Sequence, residues 1–321
     1  MSRALNILLW QVHGGWTDAF VRGRHTYLLP VDAAGDGGRG NRDWPATVVD
    51  VPEAELASTP VDVVVLQRLE EFERAERLLG RRVGVDVPAI FVEHNTPRKD
   101  VPQSEHPLAD RPDLLIVHVT HFNALYWDTG HTPTVVIEHG VVDYGRHYTG
   151  ELPRVAAVIN EPVRRWRVTG SDLLGGFSRV APVDVFGMKV DGLASALGVA
   201  EDRVVAAGDL PAPTLFQQVG RRRVYLHPNR WTSLGLSLLE AMTAGVPVVA
   251  LDATDARRAV VPGVGVISTD LAELHSAVRA YVDDPERGRD AGAMAREWAL
   301  ERFGLGRYLA DWDAALASWV G

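Results

Sequence analysis

The chain has 321 residues, with 33 lysines and arginines against 42 aspartates and glutamates, and a formal charge of −9. That acidic surplus argues against a nucleic-acid partner, which shows as a basic surplus or stripe; only Lys99 and Lys189 are lysines and the arginines are scattered. Absence of cysteine excludes disulfides, thiolate metal sites, cysteine nucleophiles and thiol redox chemistry, and 46% hydrophobic residues in a chain of this length suffice for two cores.

From the N-terminus, the apolar run Ala4 to Trp10 lacks a cleavage pattern and falls short of the roughly 20 residues that span a bilayer. No later run is long enough, so the expected location is the cytoplasm. Apolar, β-branched runs predict strands over 6–10, 47–51, 62–66, 89–92, 114–119 and 134–137, with helices over 16–21 and 70–79. The glycine-rich stretch 34–40 is followed by no helix and reads as a flexible surface loop rather than a phosphate cradle. A glycine and a proline bracket a polar link at 150–153, which divides the chain into domains 1–150 and 151–305. The second domain repeats the alternation, with strands over 155–159, 183–186, 204–207, 224–226, 246–251 and 264–267. Helices are predicted over 171–180, 192–197, 213–219, 235–243, 271–282 and 285–300. A last helix over 306–321 is expected to pack back on the first domain. Apolar strands separated by crossover helices predict an α/β fold: two doubly wound, parallel-sheet, Rossmann-like domains facing a cleft, with ligand at the carboxyl ends of the strands.

The most informative stretch reads TSLGLSLLEAMTAGVPVVA over 232–250, where Glu240 is the one charged residue. Leu236, Leu238, Leu239 and Met242 cover most of the helix circumference, so the helix is buried. A carboxylate there needs a hydrogen-bonding partner or an opening to a pocket. The helix start, after the loop through Thr232, Ser233, Leu234 and Gly235, presents unpaired N–H groups and a positive dipole end to an anion. An anion at the helix start and a carboxylate little more than one turn inward describe a sugar phosphate, with ribose hydroxyls donating to Glu240.

The stretch LGLSLLEAMTAGVPVVA resembles the signature of family 4 of the retaining nucleotide-sugar glycosyltransferases, in which two glutamates eight positions apart flank Gly-Phe-Gly-Leu ahead of Ala-Met-x-x-Gly-x-Pro-Val-Val. The resemblance extends more weakly over nearly the whole chain, and it implies the GT-B fold. It also implies a nucleotide-diphosphate sugar as donor, retention of configuration, no metal and no further cofactor. By the same resemblance Gly14 and Gly15 are the phosphate-facing turn after the first strand, His94 in FVEHNTP lies near the transferred sugar, and IEHGVVD over 137–143 closes the first domain. Thr232 stands where the family has its first glutamate. The family's diphosphate-neutralising arginine and lysine have no clean match; Arg164, Arg165 and Arg167 lie in that region, and Arg165 or Arg167 is the expected counterpart.

Several of these residues admit a structural reading as well. Gly14-Gly15 is either a turn needing positive φ or a place of close phosphate approach. His94 is either a satisfied strand-end residue or a contact to sugar or acceptor, and the arginine cluster either a solvated face or a phosphate fork. Thr232 is either a helix N-cap or a shortened sugar contact, and Trp231 either stacks on a nucleobase or packs in the loop. His118 and His121, with His131 and His139 nearby, have metal-like spacing but no completing carboxylate or cysteine, so no metal site is assigned. Neither a Gly-x-Ser-x-Gly elbow nor a Walker-type Gly-Lys loop is present.

The acceptor, whether small molecule, glycan or lipid-linked, is expected on first-domain loops 34–44 and 96–104. Arg22, Arg24, Arg39 and Arg42 form a local basic edge that leaves weak membrane docking open. The rival functions are a nucleotide-binding pseudo-glycosyltransferase serving as an accessory protein and a nucleotide-sugar epimerase.

Overall fold

The computed structural model describes residues 3–321. In chain order the elements are β1 (Asn6–Leu9), α1 (Gly14–Phe20), β2 (Thr26–Val31), β3 (Val48–Pro52), β4 (Val63–Leu66), α2 (Glu70–Leu79), β5 (Ala89–Glu93), β6 (Leu115–His118), α3 (His121–Tyr126) and β7 (Thr134–Val136). There follow β8 (Leu152–Val158), α4 (Pro162–Arg165), α5 (Leu174–Ser178), β9 (Val183–Phe186), α6 (Leu193–Leu197), β10 (Val204–Gly208), α7 (Ala212–Gly220), β11 (Arg222–His227) and α8 (Leu236–Thr243). The chain ends with β12 (Val248–Leu251), α9 (Ala256–Ala259), β13 (Val266–Ser268), α10 (Leu271–Asp283), α11 (Pro285–Phe303) and α12 (Leu305–Val320). No helix among the described residues is long and apolar enough to cross a membrane.

Two compact units result: the chain up to Gly140 together with Leu305–Gly321, and Val141–Gly304. The polar link read at 150–153 thus lies inside the second unit. Its N-terminal side is held there by backbone bonds, with His147 and Tyr148 N–H donating to Ala244 O and Thr149 N–H to Gly220 O.

The first unit is a seven-stranded sheet in the order β3-β2-β1-β4-β5-β6-β7, and every paired register in it is parallel. Ile7, Leu8 and Leu9 of β1 and Val63 to Leu66 of β4 are fully buried, as strands covered on both faces require. Strand β2 carries no sequence signal of its own because Pro30 lacks a ladder N–H, the usual cue against a strand; Tyr27, Leu28 and Leu29 nevertheless bury it beside β1. The 34–40 stretch folds back on β2, with Gly38 N–H donating to Pro30 O and Ala34 and Asp36 N–H both donating to Asp32 Oδ1. Helix α12 joins this unit through aromatic packing: the Trp312 ring lies 4.7 Å from Phe20 and 5.8 Å from Trp16, centroid to centroid, both edge-on.

The second unit is a six-stranded parallel sheet in the order β10-β9-β8-β11-β12-β13. The helix predicted over 171–180 is instead a 3₁₀ turn, Ser171–Leu173, running into the short α5. Helix α11 turns a stripe of small residues inward (Gly288, Ala291, Gly292, Ala295, Ala299). A side chain at Gly292 would put its Cβ 2.0 Å from Gly245 O, so only glycine permits the close approach that seats the end of α8.

Both sheets are therefore doubly wound, and the order reverses between β1 and β4 in one and between β8 and β11 in the other. Loops leaving the carboxyl ends of strands on either side of such a reversal diverge to opposite faces and leave a crevice, the usual place of a ligand in open α/β sheets.

Candidate functional site

In the second unit the two loops at the reversal are the β8–α4 connection with its continuation to Ser171 and the β11–α8 connection, and they pack directly on each other. Arg230 and Trp231 N–H both donate to Val168 O, at 3.0 and 3.1 Å. Gly170, at φ +70°, would place a Cβ 1.9 Å from Pro228 O, so the contact exists because that position has no side chain. The Arg230 guanidinium grips Asp172 with both nitrogens, and Arg167 Nη1 reaches the same carboxylate at 3.2 Å. The positive ends of this loop pair are thereby tied to each other through one acid.

Helix α8 starts without a side-chain cap. Its N-cap is Gly235 in extended conformation, which brings no side chain to cap the first turn, and a helix start of this kind favours an anion. Thr232 is not the cap: it lies three residues upstream with a buried Oγ1 that has no hydrogen-bond partner. Glycine at 235 has a steric cause, because a Cβ there would lie 2.7 Å from Cε1 of the buried His227 ring. Glu240 falls on the next turn, about 7 Å along the axis from the cap. It is half-buried; burial pushes the nearby Tyr225 phenol upward, with the Glu240 charge adding to it, and Tyr225 OH donates to Ser237 Oγ at 2.9 Å.

Of the predicted arginines, Arg164 pairs with Glu161, which also binds Lys189 at 2.9 Å; these two cations hold the half-buried Glu161 carboxyl down at about 2. Arg167 is exposed despite its contact with Asp172, and Arg165 is half-buried on α4. Glu161, Asp172, Lys189 and Arg230 are ion-pair members that sequence reading did not single out. Glu161 and Lys189 stand 28 positions apart and Asp172 and Arg230 58, and pairs so separated carry no local signal.

The first unit gathers its own set at its reversal. Gly14 and Gly15 open α1 directly after β1. His94, just past β5, has its ring centroid 4.0 Å from His13 and 5.3 Å from Trp16. Gln67, at the end of β4, donates through Nε2 to Trp10 O at 2.9 Å, which turns its Oε1 toward His94 Nε2 at 3.1 Å. The proton of His94 is therefore on Nε2. Burial holds His94 well below the ordinary imidazole range, with repulsion from His13 and His139 adding to it. The sequence singled out His94 and the glycine turn separately; the structure sets His94 beside His13 and Gln67, which no local pattern signalled.

Behind this set, a cavity of about 610 Å³ is lined by Gln67, Glu93, Thr96, Lys99, His106 and Trp127, among others. Leu108 N–H donates to His106 Nδ1, so the ring's Nε2–H donates to Glu93 Oε2 at 3.0 Å. The loop 96–104 forms one wall. Of the histidines with metal-like spacing, His118 is buried in β6 and His131 pairs with Asp110 at the surface; among the described residues no group of three potential metal ligands gathers.

Buried neutral histidines make stability depend on pH. Burial pulls His13, His118, His139 and His227 from an ordinary 6.5 down to about 4. The unfolded chain therefore binds more protons between those values. Stability is full above pH 6.5 and falls as pH drops toward 4, by up to about 1.4 kcal/mol per pH unit for each ring. Glu71, pushed up by burial to about 7 from 4.5, works oppositely between pH 7 and 4.5 and offsets one of the four. Thermal midpoints at pH 7.5 and 5.0 check this, with a clear fall expected at the lower pH; a flat profile contradicts it.

Comparison with known proteins agrees with this geometry. Residues 183–284 match the family described as glycosyl transferases group 1. Over 121 residues the chain is 35% identical to the GDP-mannose-dependent alpha-(1-6)-phosphatidylinositol monomannoside mannosyltransferase of Mycolicibacterium smegmatis, a match covering 35% of this chain and 31% of that one. Over 107 residues it is 33% identical to the 2-deoxystreptamine glucosyltransferase of Streptomyces kanamyceticus, covering 32% and 28%. The matched stretch thus spans less than a third of the length of these curated relatives. Among solved structures, sucrose-phosphate synthase from Thermosynechococcus elongatus superposes with a TM-score of 0.73 at 14% identity, over 98% of this chain and 99% of that one. Anabaena HepE in complex with UDP and glucose superposes with 0.71 at 15% identity, over 98% and 100%. The fold is that of the GT-B glycosyltransferases. The segment carrying Gly235 and Glu240 is a group 1 glycosyl transferases segment, as the motif over 234–250 led one to expect.

Proposed function

We propose that the protein is a glycosyltransferase that moves a sugar from a nucleoside-diphosphate sugar to an acceptor hydroxyl with retention of configuration. The observation that carries this reading is the uncapped start of α8 with Glu240 one turn inward, inside a group 1 glycosyl transferases segment. The N–H groups of 235–237 take the diphosphate, Glu240 takes the ribose hydroxyls, and Arg165 or Arg167 supplies positive charge. In transfer, the bond from the anomeric carbon to the diphosphate oxygen breaks and one to the acceptor oxygen forms, and the acceptor's proton leaves with the diphosphate. What the protein must stabilise is the charge growing on the leaving group, which preformed N–H dipoles and guanidinium groups do without reorganising. Gly14, Gly15 and His94 are assigned to phosphate and sugar, and the cavity beside Trp127 to the acceptor. Solved relatives of this fold include one in complex with UDP-glucose, which supports a nucleotide sugar as donor.

A panel of nucleosides, nucleoside diphosphates and nucleoside-diphosphate sugars tests the reading by thermal shift. A ligand present at about 100 times its Kd stabilises the folded state by about 2.7 kcal/mol, so one base is expected to raise the melting point as diphosphate or sugar diphosphate. A panel in which no diphosphate stabilises the protein counts against the reading; binding without transfer to any acceptor favours a non-catalytic role.

A further inference from the structure

The four arginines of the first unit's basic edge do not end alike. Arg22 pairs with Asp18 at 3.1 Å, Arg24 with Asp313 at 2.7 Å and Arg39 with Asp50 at 4.0 Å. Among the described residues no carboxylate lies within ion-pair distance of Arg42. Its guanidinium is held instead by neutral groups. With the Gln11 amide turned so that its oxygen faces the arginine, Oε1 accepts from Nε at 2.6 Å and from Nη2 at 2.7 Å. The Trp44 ring lies 5.4 Å from Cζ, and Trp44 is itself fixed by Nε1–H donation to Asp18 at 2.8 Å. Two donors are thus spent on positioning, while three N–H groups and the whole positive charge remain unanswered.

The guanidinium is aimed at the glycine turn. A Cβ on Gly14 would come 3.4 Å from Nη2 and 3.8 Å from Nη1, so the absence of a side chain there leaves the cation against the backbone where β1 ends at the sheet's reversal. Arg42 is exposed and open to a ligand. Around it His13, His94 and His139 stay neutral through burial, so the turn's positive charge comes from arginine. A cation held by an amide oxygen and an aromatic face, with no acid to compensate it, is arranged to receive an anion, and its planar fork matches phosphoryl oxygens.

We propose that Arg42 is a phosphoryl-binding residue whose guanidinium, braced by Gln11 and Trp44 beside Gly14 and Gly15, receives an anionic oxygen of the donor diphosphate or of a phosphorylated acceptor. The proposal rests on the glycosyltransferase reading.

The test uses the full chain, calorimetry and two variants. Arg42→Gln is expected to weaken the binding of UDP or GDP, whichever the wild type prefers, by about 10- to 100-fold, while the affinity for the bare nucleoside is unchanged. Arg42→Lys keeps the charge without the fork and falls between. Added guanidinium ion at millimolar concentration restores part of the loss in Arg42→Gln, a rescue that a purely structural role or a misfolded variant does not give. Glycerol 3-phosphate, titrated with the nucleoside diphosphate saturating, separates the sources: loss of its binding alone places the anion on the acceptor, loss of diphosphate binding places it on the donor. Arg42→Gln binding both probes as the wild type does overturns the proposal and leaves the functional reading standing. A wild type that binds neither overturns both.

Discussion

Replacing Glu240 with alanine is expected to weaken binding of the nucleoside diphosphate by about 10- to 100-fold, the range for losing a hydrogen bond to a charged group. The loss should appear for nucleoside and nucleoside diphosphate alike, because the carboxylate is assigned to the pentose. Inorganic pyrophosphate, held by the α8 start, should bind as before. That pattern is the reverse of the one expected for Arg42→Gln, which spares the nucleoside. Glu240→Gln, which keeps one acceptor oxygen, should lose less than alanine. Calorimetry on the three ligands measures this directly; equal nucleoside affinity in wild type and Glu240→Ala would remove Glu240 from the site.

A second large effect is expected at the opposite end of the same sheet, where no ligand is assigned. Asp184 in β9 is 3% exposed and accepts from Arg154 Nε at 2.8 Å and from Arg222 Nε at 2.8 Å, joining the starts of β8, β9 and β11. Arg222 also lies 5.0 Å from the Phe186 ring and donates to Gln218 O at 2.6 Å. Asp184→Ala leaves two guanidinium groups half-buried without their acid, and removing one partner of such a network costs about 3 kcal/mol or more. In a unit of this size that lowers the melting point by roughly 6 to 12 °C. Urea denaturation should show the lower midpoint with an unchanged slope. Nucleotide affinity of the folded fraction should not change, because the brace sits at the amino ends of the strands and the proposed site at the carboxyl ends. A loss below about 1 kcal/mol would mean that the arginines find solvent more easily than their burial implies.

Much of the fold was legible because the signal is local. Val63 to Leu66 and Val248 to Leu251 are uniformly apolar runs of strand length, and the structure buries both within parallel sheets. Strand β2 escaped because Pro30 mimics a break, and the short α3 because His121–Tyr126 is too brief for a helical period to show. Of the two readings of Thr232, the N-cap is excluded because Gly235 takes the cap, where a Cβ would lie 2.7 Å from the His227 ring. Candidate site residues within one loop, such as 232–235, could be singled out from the order of residues. Partners drawn from different loops, such as Asp172 with Arg230 or Gln67 with His94, could not.

Alternating hydrophobicity, the lack of cysteine and a lone acid in an apolar helix were enough to settle an α/β chain with a group 1 glycosyl transferases segment, because each is a property of neighbours along the chain. Strand order belongs to pairings between residues far apart, and it alone decided that Gly14, Gln67 and His94 meet at one reversal and that loops 161–172 and 228–235 meet at the other. It also decided which arginines are neutralised by an acid and which, like Arg42, keep their charge, since that depends on whether folding brings a carboxylate within a few ångströms.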